Sequence, residues 1–136
     1  MDKKLFAEIK NTLLSEQKRQ LPAVDAELLE LVHAINKVDG VYVTDSCIDK
    51  EKLEAIIWFR VDQFQTLNDF CREFFNESVW KVIYYTCDIN LNDHLVFYLD
   101  FHGENLEEIV KESTKLAFKI NAKVDDFNNR SQIITI

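Results

Sequence analysis

The spacing of apolar residues predicts an amphipathic helix in the first third of the chain. Between residues 24 and 38, apolar side chains recur at every third or fourth position, as they do on one face of a helix. They are Val24, Leu28, Leu31, Ile35 and Val38. We expect the Asp25 carboxylate to cap this helix and Gly40 to give the chain a permissive exit from it. The helix therefore has recognisable signals at both ends.

Two strands are predicted directly after this helix. Val41–Thr44 is the first, and the polar segment Asp45–Glu54 is expected to connect it to the second, Ala55–Val61. The second strand, which contains Trp58, is apolar on both faces, so we expect it to run through the middle of a sheet with cover on both sides. The sequence leaves open whether the N-terminal helices or a second copy of the chain supplies the cover on one side.

Two further helices are predicted on either side of these strands. The first runs to about Gln20 and is separated from the next helix by Pro22. Its apolar stripe consists of Leu5, Phe6, Ile9 and Leu13. Asp62 is expected to cap the other helix, whose inward face is broad and aromatic. That face comprises Phe64, Leu67, Phe70, Cys71, Phe74 and Phe75.

The second half of the chain predicts a hairpin, a helix and a final strand. Trp80–Ile89 and His94–Phe101 alternate with strand periodicity. One face of the second strand carries Leu95, Phe97, Leu99 and Phe101, and the other carries Val96, Tyr98, Asp100 and His102. A helix over Glu104–Asn121 follows, with Leu106, Ile109, Val110, Leu116, Ala117 and Ile120 expected to be buried. After a turn at Asp125–Asn129, the chain is expected to end in a strand over Gln132–Ile136.

The order of these elements predicts the fold class. From the Ala55–Val61 strand onward, it is strand, helix, strand, strand, helix, strand, which is the ferredoxin-like split βαβ arrangement (β-α-β-β-α-β). We therefore predict a single α+β domain over residues 1–136, with an antiparallel sheet, an extra N-terminal strand and two N-terminal helices. Residues 1–22 would form the first helix and residues 23–136 the core.

Composition is that of a folded protein without membrane segments. Hydrophobic residues make up 47% of the chain, and ten Phe, four Tyr and two Trp can fill a core. No apolar run approaches the roughly 20 residues that cross a bilayer, and the first residues lack the apolar region of a secretory signal. We expect a cytoplasmic location. The three cysteines, Cys47, Cys71 and Cys87, contain no Cys-x-x-Cys pair, so neither a disulfide framework nor a structural zinc site is expected. We expect no cofactor and no other metal site.

The net charge restricts the choice of partner. Twenty-four acidic and sixteen basic side chains give a net charge of -8. Binding to phosphate backbones usually requires a basic patch, so general nucleic-acid binding is disfavoured. The aromatic hairpin that contains Trp80 and Tyr98 has Lys81 as its lone basic residue, which favours core packing or a protein interface over base stacking. An acidic chain of this kind favours a protein partner, a basic one in particular.

Three groups of residues are candidates for a site. Asp45, Ser46 and Cys47 follow a strand and are candidates for ligand binding, with the alternative that Cys47 is a buried hydrophobe and its neighbours form a turn. Asp100 and His102 share one face of a strand, as an acid–base pair or as a structural salt bridge, and the salt bridge is favoured. The acidic start of the last helix either is solvated or binds a basic partner. Its residues are Glu104, Glu107, Glu108 and Glu112.

Part of the chain resembles a known family. Residues 24–32 (VDAELLELV), Ile35-Asn36 and residues 41–47 (VYVTDSC) are similar to the helix and the Ser-Cys strand end of the tRNA wybutosine-synthesising methyltransferase family, the TYW-three-like proteins. In outline the likeness covers about residues 24–136. It implies binding of S-adenosylmethionine and methylation of a modified guanine in tRNA.

The chain departs from this family at the residues that would carry the chemistry. Ile48-Asp49-Lys50 follows Ser46-Cys47, without the glycine that lets a ligand approach the backbone and without the basic or His residue. Asn121–Val124 stands where the family has a segment of the Gly-Phe-Arg-Asn-Ser-Gly type. A shared architecture that has lost its chemistry is the simplest interpretation, since a fold alone does not transmit function.

The sequence therefore supports two hypotheses. The first is a non-catalytic acidic module that binds another protein, of the inhibitor, immunity or phage-accessory kind, because no catalytic motif is assembled. The alternative is an S-adenosylmethionine-binding or tRNA-modifying protein that uses a cleft beside Ser46 and Cys47.

Overall fold

The described part of the chain contains four helices and four strands. The computed structural model describes residues 2–19, 25–84 and 95–134. The helices are α1 (Lys3–Arg19), α2 (Leu29–Asn36), α3 (Phe64–Phe74) and α4 (Leu106–Ile134), and a 3₁₀ turn, Ala26–Leu28, leads into α2. The strands are β1 (Val41–Asp49), β2 (Glu54–Val61), β3 (Lys81–Tyr84) and β4 (Leu95–His102). The protein is therefore of the mixed α+β class. None of the described helices is both long and apolar enough to span a membrane.

The four strands form one antiparallel sheet in the order β1-β2-β4-β3. As predicted, the apolar strand that contains Trp58 is an interior strand, with β1 on one side and β4 on the other. Because β4 is antiparallel to both β2 and β3, those two strands run in the same direction and α3 connects them. The predicted alternation of β4 is confirmed, since Phe97, Leu99 and Phe101 are buried on one face. The predicted hairpin turn lies outside the described residues.

The end of the chain differs from the prediction. We predicted a turn at Asp125–Asn129 and a strand from Gln132. Both predictions are wrong for the described residues, because α4 continues without interruption to Ile134. Val124 and Phe127 extend the buried stripe of the helix, and the Phe127 ring packs 5.4 Å from that of Phe74. Tertiary contacts therefore hold turn-forming residues in helical conformation.

Asn128 shows how this is achieved. Its side-chain amide donates to the Lys37 carbonyl at 3.0 Å, and its side-chain oxygen accepts from the Asp39 amide at 2.9 Å, so it satisfies backbone groups just after α2.

Since no strand forms over residues 132–134, the complete ferredoxin-like arrangement is not confirmed. β1 pairs along the side of β2 that faces away from β4.

One face of the sheet, here called the core face, carries the hydrophobic core. β2 contributes Ala55, Ile57, Phe59 and Val61, each at most 2% exposed. The helices close this face with fully buried side chains, among them Leu31 and Ile35 of α2, Phe70 and Phe74 of α3, and Ile109 and Ile120 of α4. Leu28, Leu31, Ile35 and Val38 of the predicted apolar stripe are confirmed as buried, and Val24 lies outside the described residues. Phe64 and Val110, by contrast, are exposed rather than buried.

The opposite face of the sheet, here called the open face, is not covered as we expected. The sequence left open whether the N-terminal helices or a second copy of the chain cover it, and α2 belongs to the core face because its buried stripe packs in the same cluster as α4. α1 reaches the open face at Tyr42, whose ring lies 5.0 Å from that of Phe6. Ile56 and Trp58 of β2 remain half-buried. The interior strand β2 therefore has one fully buried face and one face that is partly exposed to solvent.

The expected caps differ from those observed. Asp25 makes no side-chain cap, and its carboxylate accepts instead from the Ile48 amide of β1 at 2.8 Å. Asp62 accepts a hydrogen bond from the Thr66 hydroxyl, but Gln63 is the N-cap residue of α3. Gly40 is confirmed as the exit from the second helix, with φ +79°, and a Cβ there would lie 2.9 Å from the Asp62 carboxylate oxygens.

Lys10 fixes α1 to the rest of the molecule. Its Nζ donates to the Val38 carbonyl at 2.7 Å, and the residue is 8% exposed. Burial lowers the pKa of Lys10 from 10.5 to about 8, although the Asp39 and Asp62 carboxylates raise it in part. The ammonium group is thus held in a site that penalises its charge.

This burial predicts a pH-dependent stability. Between about pH 8 and pH 10.5 the folded protein binds fewer protons at Lys10 than the unfolded chain does, so the contribution of Lys10 to the free energy of unfolding rises with pH. From about pH 7 to about pH 10, we expect the difference in free energy of unfolding between wild type and Lys10→Met to grow by about 2 kcal/mol in favour of wild type. Urea unfolding measures it. A difference that does not change with pH would show that Lys10 is solvated.

The two faces of β2 should respond differently to truncation. Ile57→Ala opens a cavity in the closed core and should lower the free energy of unfolding by about 2–5 kcal/mol. Ile56→Ala, on the open face, should cost about 1 kcal/mol or less, since its side chain is already half in water. Urea unfolding of both variants checks the assignment. Equal losses would mean that the open face is covered in solution.

Candidate functional site

Asp45, Ser46 and Cys47 do not form the turn that the sequence suggested. β1 continues through them to Asp49, with a bulge between Val43 and Asp45. Ser46 pairs with Ile57 and is buried on the core face, whereas Cys47 is exposed on the open face. Adjacent strand residues point to opposite faces, so Ser46 and Cys47 do not share a cleft. The alternative expectation, that Cys47 is a buried hydrophobe, is also wrong.

The surroundings of Cys47 disfavour a thiolate. Partial burial raises the pKa of this thiol, and the nearby carboxylates of Asp45, Asp25, Asp49 and Glu54 raise it further. A nucleophilic cysteine needs the opposite, a positive neighbour that stabilises the thiolate. Cys47 is therefore poorly suited to nucleophilic chemistry.

Asp100 and His102 lie together on the open face, as the strand alternation predicted, and a third residue joins them. His102 Nε2 is 3.3 Å from Asp100 Oδ2 and 2.8 Å from Glu54 Oε2. Glu54 opens β2 and pairs with His102 in register. We call Glu54, Asp100 and His102 the carboxylate–histidine cluster. The sequence pattern did not identify Glu54, because only the pairing of β2 with β4 brings it beside His102.

Burial differs sharply within this cluster. The Asp100 side chain is 9% exposed, that of Glu54 20% and that of His102 60%. Burial raises the pKa of Glu54, contact with Asp100 raises it further, and His102 opposes the shift. Asp100 Oδ1 is buried and has no hydrogen-bond partner in the described part of the chain. The cluster therefore brings two carboxylates together with one imidazole, in a position that solvent reaches mainly through His102.

Beside the cluster, the open face is aromatic. The rings of Trp58 and Tyr98 lie 4.7 Å apart on adjacent strands and both side chains are half-buried. Further along, Arg60 donates to the Tyr42 hydroxyl at 3.2 Å. The half-buried apolar side chains around the aromatic pair are Ile56, Ile83 and Val96. This face thus combines an aromatic centre with an acidic side.

A second surface feature was not anticipated from the sequence. A groove with a volume of about 380 Å³ lies between the start of β3 and α4, beside Trp80. Val79 and Phe118 border it and are 52% and 75% exposed. Its basic residues are Lys115, Lys119 and Lys123. Helical spacing along α4 places these lysines on one side, but the predicted end of the helix at Asn121 hid the full stripe.

The acidic residues proposed as a partner surface lie at the start of α4. The helix begins at Leu106, and the Asn105 side-chain oxygen accepts from the Glu108 amide at 2.8 Å. Glu104 and Glu107 are exposed, whereas Glu108 and Glu112 are half-buried. The helix dipole stabilises carboxylates near a helix N-terminus. The acidic residues at the start of α4 are therefore explained by helix stability, without a partner. Binding of a partner there remains a prediction.

Comparison of the chain with models of known protein families, with curated proteins and with solved structures found no match. The function is therefore inferred from the geometry of the molecule itself.

The electrostatics of Cys47 give a test of the site. At about pH 8, we expect Cys47 to react with iodoacetamide more slowly than a free cysteine, because the thiolate is suppressed. Asp45→Asn removes a neighbouring negative charge with little change of shape and should speed the reaction. Mass spectrometry of the Cys47 peptide measures the rate. A wild-type rate above that of free cysteine would contradict the electrostatic assignment.

Proposed function

We propose that this protein is a non-catalytic module that binds a basic protein through the open face of its sheet. The observation that carries the proposal is the Trp58–Tyr98 pair, which is half-exposed on two interior strands. Aromatic residues with one apolar side and one wet side are enriched in protein interfaces and provide much of their binding energy. Inhibitors, immunity proteins and phage accessory proteins are the kinds of module that fit this description.

The charge of the open face supports a basic partner. Its charged side chains are Asp45, Asp49, Glu54 and Asp100 against Arg60 and Lys81, with His102 at the margin. Opposite charge across an interface speeds association and selects the partner. A second copy of this chain would bring a like-charged face and carries the same net charge of -8, so a foreign basic protein fits better than a homodimer.

The finer fold assignment is also a proposal. We interpret the sheet as a ferredoxin-like core in which β1 takes the edge position that a final strand would occupy. The position of β4 between β2 and β3 supports this interpretation. It leaves the face opposite α3 and α4 available, which is the face we assign to the partner.

The alternative, an S-adenosylmethionine-binding or tRNA-modifying protein, remains a prediction without a structural observation in its favour. It relied on a cleft shared by Ser46 and Cys47, and these residues lie on opposite faces of β1. A cytoplasmic location likewise remains a prediction.

Mutations on the open face should abolish partner capture. We expect Tyr98→Glu to lose the protein that the wild type captures from the lysate of its source cells. The substitution removes an aromatic anchor and would bury a charge in the interface with the partner. Phe118→Glu is the matched control, since Phe118 is an exposed aromatic residue in the groove beside Trp80. Capture should also weaken as salt rises from about 50 mM to about 500 mM, because screening reduces the attraction of the basic partner.

The outcomes separate the hypotheses. Circular dichroism first confirms that both variants are folded. Loss of capture with Phe118→Glu and not with Tyr98→Glu would move the interface to the groove and contradict the proposal. A dimer in analytical ultracentrifugation that Tyr98→Glu dissolves would assign the open face to a second copy. Stabilisation of the protein by S-adenosylmethionine, together with no captured protein, would favour the alternative.

A further inference from the structure

The carboxylate–histidine cluster has more acceptors than donors. His102 Nε2 carries at most one hydrogen, yet it faces Glu54 Oε2 at 2.8 Å and Asp100 Oδ2 at 3.3 Å. One N–H cannot satisfy two carboxylates well. One oxygen of each carboxylate also lies within 4.8 Å of the other, although neither group supplies a hydrogen when ionised.

Asp100 adds to this excess of hydrogen-bond acceptors. Its side chain is more than nine-tenths buried, and its Oδ1 has no hydrogen-bond partner among the residues that the structure describes. Lys81 lies opposite Asp100 in register, but the two make no ion pair within the described part of the chain. A buried carboxylate oxygen without a partner is costly, and a positively charged ligand at this position would offset that cost.

We propose that Glu54, Asp100 and His102 form a binding site for a divalent transition-metal ion, Zn²⁺ in particular. One ligand atom from each residue lies within 4.8 Å of the others. In a tetrahedral zinc site with bonds of about 2.0–2.1 Å, neighbouring ligand atoms are about 3.3 Å apart. The distances of 2.8 and 3.3 Å from His102 Nε2 are close to this separation.

The donor set selects the class of metal. Imidazole suits Zn²⁺ and its neighbours in the first transition series, whereas Mg²⁺ and Ca²⁺ prefer oxygen ligands alone. Two carboxylates and a neutral imidazole balance the charge of a dication. Three protein ligands leave a fourth tetrahedral position for water, as in zinc sites that are accessible to other molecules.

The proposal concerns the isolated protein and does not depend on the protein-binding function. Isothermal titration with zinc chloride should show one ion bound per chain, with Mg²⁺ and Ca²⁺ binding more weakly. His102→Gln should weaken zinc binding by about 100-fold or more, since the loss of outer-shell contacts alone costs 10–100-fold in other sites. The His102 side chain is 60% exposed, so this variant should fold.

Two further variants make the test specific. Asp100→Asn should also weaken zinc binding, whereas Glu51→Gln, which removes an exposed carboxylate from the turn before β2, should leave it unchanged. The Co²⁺-loaded protein should lack the near-ultraviolet absorption of a thiolate ligand. The proposal is overturned if no zinc binds, if His102→Gln and Asp100→Asn bind as wild type does, or if Glu51→Gln weakens binding equally.

Discussion

The structure depends on the central strand β2, which pairs on both sides and packs on one. Its hydrogen-bonding partners β1 and β4 satisfy the backbone, so every side chain must point to one of two faces. Helices α2, α3 and α4 enclose the face that carries Ile57 and Phe59, and this enclosure provides the core. The helices on that side are attached to each other, as the bonds of Asn128 to the end of α2 show. The other face therefore has fewer elements available to cover it.

This asymmetry explains why the candidate chemistry lies on one face. On the core face, Ser46 is buried opposite Ile57 and its hydroxyl has no partner among the described residues. On the open face, polar groups can reach water, and the strand pairing sets Glu54 beside His102 and Trp58 beside Tyr98. The same strands thus give an acidic side and an aromatic centre. Both arise from the register between β2 and β4 rather than from any local motif.

Local periodicity predicted much of the fold. Hydrophobic spacing reflects which side chains are buried. It therefore predicted the apolar stripe of α2, the interior position of β2 and the alternation of β4. The prediction failed where tertiary contacts override local preference. Asp45 and Ser46 are typical turn residues, yet pairing with β2 and a bulge keep them in β1. Asn128 is also a turn residue, but its bonds to the end of α2 keep it in α4.

The candidate site was predictable in part, for a related reason. Asp100 and His102 are two apart on one strand, so alternation alone places them on the same face. Glu54 is far from both in sequence, and its contact with His102 requires the register of two strands that no local pattern specifies. A slip of one residue in that register would move Glu54 to the core face, where an ionised carboxylate is not tolerated without a partner. Burial of Ile57 and Phe59 in the core fixes the register of β2. The same register therefore places the Glu54 carboxylate beside the His102 imidazole.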